Sequence, residues 1–149
     1  GEIAVFELSD FYDYCTRHQV DVIPFMGIPQ PGATVRDGSA LAVFLDFSKI
    51  RSTRLLRGVC VHELGHAATG ALHKVDSPFE LAERSEYRAN RWAAESYLTE
   101  EAFREAFAAG FTEMWQLEEY FDLPESDIRA ALRYWTMSRG IDFTKKEHA

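Results

Sequence analysis

The sequence predicts an α+β fold, mostly helical, with a small β-sheet beside one central helix. Three observations predict it. Strand-like alternation is confined to the first 50 residues, a loop rich in Pro and Gly divides that stretch, and five segments after Ser52 carry apolar residues at helical spacing. With 149 residues and 46% hydrophobic content, the chain suffices for one core and is short for two. A single domain over 1–149 is therefore expected, with a mixed helix and strand front over 3–50, a central helix over 52–72 and a helical remainder over 78–140.

In order along the chain, residues 5–18 carry Phe6, Leu8, Phe11, Tyr12 and Cys15 at mixed helical spacing, and Val20, Val22 and Phe25 then alternate as a strand does. Gly27 to Gly38 reads as a loop. Leu41 to Phe47 is a short run of β-formers between Gly38-Ser39 and Ser48, and it is expected to be an edge strand. Ser52 caps a helix from Thr53 to about Leu72 that is apolar on nearly every face, which marks a helix buried among others. Ser77-Pro78 starts the next helix, periodic from Phe79 to Tyr97, and Thr99 caps another over Glu100 to Ala109. Gly110 closes that one. Thr112 to Phe121 follows, and Leu123-Pro124 opens a last helix that Gly140 stops.

Composition excludes several classes. Sixteen basic against 24 acidic side chains give a formal charge of −8, which opposes binding to a polyanion and disfavours direct contact with nucleic acid. Charged residues interrupt every apolar stretch before it reaches membrane-spanning length. The start lacks the basic, apolar and small-residue zones of a signal peptide. Cys15, read as lying on a surface helix, and Cys60, read as buried, form no disulfide framework and no metal knuckle. Together these give the expectation of a cytoplasmic protein with reduced thiols, away from membranes.

The chemistry resides in His62-Glu63-Leu64-Gly65-His66, an H-E-x-x-H pattern inside the central helix. Histidines four apart lie about 40° from each other around a helix, so both imidazoles reach one cation. Glu63 is turned about 100° from His62, too far to ligate yet close enough to take a proton from a water on the metal. A five-residue pattern with three fixed positions also arises by chance. Burial weighs against chance, since two histidines and a glutamate facing an apolar interior each need a partner, and one metal ion supplies it for all three. Gly65 points to close packing at the same level.

A catalytic site needs a third protein ligand. Projection of the 79–97 helix puts Phe79, Ala82, Glu86, Ala89, Asn90, Ala93 and Tyr97 on one face, with Glu80, Arg84, Arg88, Arg91 and Glu95 on the other. Glu86, a carboxylate among alanines, is the expected ligand; Glu83, at the border of that face, is the reserve. The competing reading pairs Glu86 with a buried arginine, Arg54 or Arg57. His73 does not fit the longer H-E-x-x-H-x-x-G-x-x-H pattern, because Gly70 and His73 each sit one residue late, and Met114 and Met137 lie in helical segments rather than in a Met-turn. His73 reads as a surface loop residue. The ligand set suits zinc, though manganese and iron accept the same atoms.

His62 to His66, the stretch Glu86-Tyr87-Arg88-Ala89-Asn90-Arg91-Trp92-Ala93-Ala94 and the following Leu98 together resemble the ImmA/IrrE family of metallopeptidases, common in phages and bacterial mobile elements. The resemblance covers most of residues 3–140. It implies a zincin-like, more narrowly gluzincin-like, metallopeptidase domain with two histidines and a downstream glutamate on zinc. It also implies a regulatory task, since some members inactivate helix-turn-helix repressors. Two departures stand out: Arg88 occupies a position that is acidic in many members, and Leu98-Thr99-Glu100 lacks their proline.

Leu117 to Arg129 superficially reads as a helix-turn-helix, but acids stand where base-reading residues would be needed, so two core-packing helices are the expectation. The expected function is zinc-dependent hydrolysis of a protein or peptide substrate, a transcriptional repressor being the regulatory candidate. The alternative is a metal-containing interaction module that sequesters a regulator without cutting it.

Overall fold

The structure is a computed structural model and describes residues 5–70 and 79–145. Its elements run α1 (Leu8–Arg17), β1 (Val20–Pro24), β2 (Gly32–Asp37), β3 (Ala40–Leu45), a 3₁₀ turn (Phe47–Lys49), α2 (Thr53–Thr69), α3 (Phe79–Tyr97), α4 (Glu100–Ala108), α5 (Met114–Phe121) and α6 (Glu125–Arg133), with a π-helical turn over Tyr134–Ser138. The fold is α+β and mostly helical. Caps read from the sequence are in place: Ser52 Oγ accepts from Leu55 N at 3.0 Å, and Thr99 Oγ1 accepts from Ala102 N at 3.1 Å. Gly70, in the left-handed region at φ 66°, ends α2 before the expected Leu72. Ser77-Pro78 and His73 lie outside the described residues.

The sheet corrects two expectations. The loop expected from Gly27 to Gly38 contains a strand, β2, because Thr34 and Val35 favour extended backbone and Gly38-Ser39 makes a two-residue hairpin loop to β3. Gly38 stands at φ 62° at the first central position of that turn, where a left-handed residue matches the sheet twist. The strand order is β1-β3-β2, so β3 is central and not the expected edge: it pairs parallel with β1 and antiparallel with β2. Among the described residues, β2 is the edge strand beside α2.

Cys15 also departs from its expected surface position. It follows Phe11 by one helical turn, and this apolar face of α1 turns inward, leaving Phe11 and Cys15 buried. Burial pushes the Cys15 thiol up to about 11 and the Cys60 thiol up to about 12, which keeps both protonated and poor ligands.

The core joins Val43 and Leu45 from the sheet to Cys60, Val61 and Leu64 of α2, Ala94 and Leu98 at the end of α3, and Phe103, Phe121, Leu123 and Ile128 from the later helices. The segment that superficially reads as a helix-turn-helix is thus two core-packing helices, with Leu117, Phe121, Leu123 and Ile128 buried. Arg57, buried on α2, fastens this assembly. Its guanidinium donates to the carbonyls of Phe6 and of Asp122, the latter at 2.8 Å, and pairs with the carboxylates of Asp122 at 3.1 Å and Glu7 at 3.4 Å.

Candidate metal centre

A close approach of two helices positions the candidate centre. α2 packs on α3 more extensively than any other pair of elements. A Cβ on Gly65 would lie 2.7 Å from the carbonyl oxygen of Ala89, so the two backbones touch there and admit no side chain. Just across this contact, His62 and His66 project from α2 toward Glu86, one turn before Asn90 on α3. His66 Nε2 is 3.0 Å from Glu86 Oε1, His62 Nε2 is 3.1 Å from Glu86 Oε2, and the two Nε2 atoms are 3.3 Å apart. The two Nε2 atoms therefore converge on each other and on one carboxylate, with the protonated His62 donating to Glu86 in the metal-free protein. Among the described residues, His62, His66 and Glu86 form the group that could hold a metal ion.

The residues fit such an ion. A tetrahedral zinc with bonds of roughly 2.0–2.1 Å holds its ligand atoms roughly 3.3 Å from one another, close to the spacings seen. His66 is buried, with 4% of its side chain exposed, while Glu86 is 36% exposed. Among the described residues the cluster is thus buried at His66 and partly open to solvent at Glu86.

Glu63 lies beside this cluster and outside it. It is buried, and the Thr34 hydroxyl of β2 donates to its Oε1 at 2.8 Å. The same hydroxyl stands 3.2 Å from the Glu63 carbonyl oxygen, so Thr34 ties both backbone and side chain of this residue to the edge strand. Gly32, two residues earlier on β2, makes room: a Cβ there would come 2.7 Å from Val59 Cγ1 and 3.1 Å from Glu63 Cγ. The strand thus lies directly over the carboxylate.

On the other flank stands Asp127, in the first turn of α6. Its Oδ2 occupies the surface of Gly58, one turn before His62, where a Cβ would come within 2.7 Å. Burial raises the Asp127 carboxyl to about 6, an effect that the charge of His62 opposes. For His62, burial pulls downward, but the hydrogen bond and charge of Glu86, with Glu63 and Asp127 behind them, more than reverse it and hold the imidazole at about 9 in the metal-free protein. Three carboxylates therefore surround His62 with negative potential suited to a cation.

Residues 53–133 match the family of IrrE N-terminal-like domains, a peptidase family. The chain belongs to this family. The match spans α2 to α6, so this IrrE-like, zincin-like domain is recognised through the helices that carry the cluster. No curated protein and no solved structure matches the chain. Among the described residues, no helix is long and apolar enough to cross a membrane.

The four residues singled out from the IrrE-like sequence, His62, Glu63, His66 and Glu86, stand together here. The reserve, Glu83, is exposed and outside the cluster. Arg54 and Arg57, the rival partners for Glu86, are engaged by Asp122 instead. Thr34, Gly32 and Asp127 went unnoticed in the sequence. For Thr34 the missing signal was the strand itself, since Ala33-Thr34-Val35 before Gly38-Ser39 reads as a hairpin arm once the turn is recognised. Asp127 offered only an acidic residue in the first turn after a proline.

Proposed function

We propose that the chain is a zinc-dependent endopeptidase that cuts a regulatory protein, a helix-turn-helix repressor being the class suggested by the resemblance. The observation that supports it most is the convergence of His62, His66 and Glu86 to within hydrogen-bond distances of one another, with Glu63 held apart from them by Thr34. Structural zinc is closed by four protein ligands, whereas the cluster among the described residues offers three.

His62, His66 and Glu86 would hold the ion. When bound, zinc supplies Lewis acidity to the attacking water and to the scissile carbonyl. Glu63 accepts the proton of that water and returns it to the departing amine, and the Thr34 hydrogen bond holds the Glu63 carboxylate in one orientation. Asp127 adds negative charge near His62, which favours a cation at the cluster. The substrate enters as an extended strand. Among the described residues no strand pairs with the outer edge of β2, so a peptide paired with Gly32 to Asp37 would pass beside Glu63.

The test uses wild type and Glu63→Gln, each loaded with one equivalent of zinc and freed of excess, incubated with the helix-turn-helix regulator encoded beside the gene. Elemental analysis is expected to give about one zinc in both proteins, and mass spectrometry to find discrete cuts with wild type alone. A zinc content near zero after loading defeats the metal site. Equal cutting by both proteins removes Glu63 from the mechanism.

A further inference from the structure

A groove of about 630 Å³ runs between α3 and the C-terminal end of α6, and Glu86 forms part of its wall. Whatever bond is polarised at the cluster therefore has this groove at its side. Ala82 and Ala130 leave the width open, and the rings of Tyr87 and Tyr134, 6.3 Å apart and edge to face, give an aromatic side. Met137 completes the lining and is 77% exposed, an unusual placement for a large apolar side chain.

The backbone here is built for the purpose. At Tyr134 the α-helix widens into a π-helical turn that runs to Ser138. Such turns are rare and concentrate at functional sites. Two anchors hold it: the Tyr134 hydroxyl donates to Glu95 Oε1 at 2.5 Å, and Trp135 Nε1 donates to the Leu98 carbonyl at 2.7 Å. With Tyr134 and Trp135 pinned inward, the extra residue of the turn presents Met137 and Ser138 to the groove.

We infer that this groove is the specificity pocket of the enzyme, that it receives a large apolar side chain of the residue next to the cleaved bond, and that Met137 is the residue that selects it. The inference rests on the peptidase reading. Small alanines, two aromatic rings and one adaptable thioether suit leucine, methionine or phenylalanine better than a charged side chain, which would stand between Glu83 and Arg133 with one like charge on either view.

Three peptide hydroxamates that share a backbone and differ at the side chain beside the zinc-binding group, methyl, isobutyl or benzyl, are titrated calorimetrically into the zinc-loaded protein. The isobutyl and benzyl compounds are expected to bind about tenfold more tightly than the methyl one, the worth of burying roughly two methylenes. In Met137→Asp the advantage falls below about threefold, and in Met137→Leu it is retained. Thermal melting confirms that each variant is folded, as the exposure of Met137 leads one to expect. Equal affinity for all three compounds overturns the pocket and leaves the metal site standing. Selectivity that survives Met137→Asp overturns it as well, by placing the pocket elsewhere. Failure of every hydroxamate to bind zinc-loaded wild type defeats the peptidase reading, and the pocket with it.

Discussion

Replacing Gly65 with alanine tests whether backbone contact between α2 and α3 sets the geometry of the centre. The new Cβ would stand 2.7 Å from the Ala89 carbonyl oxygen and 3.2 Å from its carbonyl carbon and Cα, where ordinary contact begins at 3.4 Å. The helices must therefore part by about 0.7 Å at this level. Flexible side chains cannot absorb the clash, because all three atoms are backbone. Alanine would return about 1 kcal/mol through helix propensity, against roughly 1–3 kcal/mol for overpacking a close contact. The net loss of stability is thus modest, about 1 kcal/mol. The effect on the metal should be far larger. Glu86 rides on the displaced helix, its oxygens now 3.0 and 3.1 Å from the two Nε2 atoms, and a shift approaching 1 Å in a constrained constellation costs on the order of 100-fold. Urea denaturation of the metal-free protein and competition with a zinc chelator measure the two effects separately. Zinc affinity within threefold of wild type would refute the argument, as would a stability loss large enough to account for the lost metal by unfolding.

Glu86→Ala should lower zinc affinity by several orders of magnitude, whereas Glu83→Ala, at an exposed position, should change it less than about threefold; the reverse ranking in a chelator titration would show that the wrong carboxylate was chosen. Thr34→Val keeps shape and removes the 2.8 Å hydrogen bond to Glu63, so turnover should fall about 10–100-fold with zinc content unchanged, and loss of zinc would assign Thr34 a different task. In the metal-free protein the folded-state value of His62 lies above its ordinary 6.5, at about 9, so the stabilisation from its pairing with Glu86 is complete below about pH 6.5 and is lost as pH rises through 9. NMR titration should find the His62 midpoint near 9 and should find it moved down in Glu86→Gln; an unmoved midpoint would deny the pairing.

The helices of this domain were legible because their signals are local. Ser52 and Thr99 cap where expected, and the alanine face of α3 carries Glu86 inward by a periodicity visible in the sequence alone. The sheet was less legible, since strand order depends on pairing between segments rather than within them. Leu41 to Leu45 is apolar enough for a strand in any position, and only the unseen hairpin across Gly38-Ser39 makes it central. The site divides in the same way. The juxtaposition of His62, Glu63, His66 and Glu86 follows from spacing along two helices, whereas Thr34 and Asp127 arrive from a strand and a helix distant in sequence, and no local pattern marks them.

Arg57 imposes an order in time. Its guanidinium is buried and satisfied by Phe6 and Glu7 at one end of the chain and by Asp122 near the other. Until residue 122 has left the ribosome, that charge has half its partners and stays in water, so the first turn of α2 has no seat. His62, His66 and Glu86 are all synthesised well before this. The segments that bear the cluster thus exist in the nascent chain while the helix that aligns them is still unfastened, and Asp127 follows Asp122 by five residues. The candidate metal centre is thus among the last parts of the described fold to be fastened.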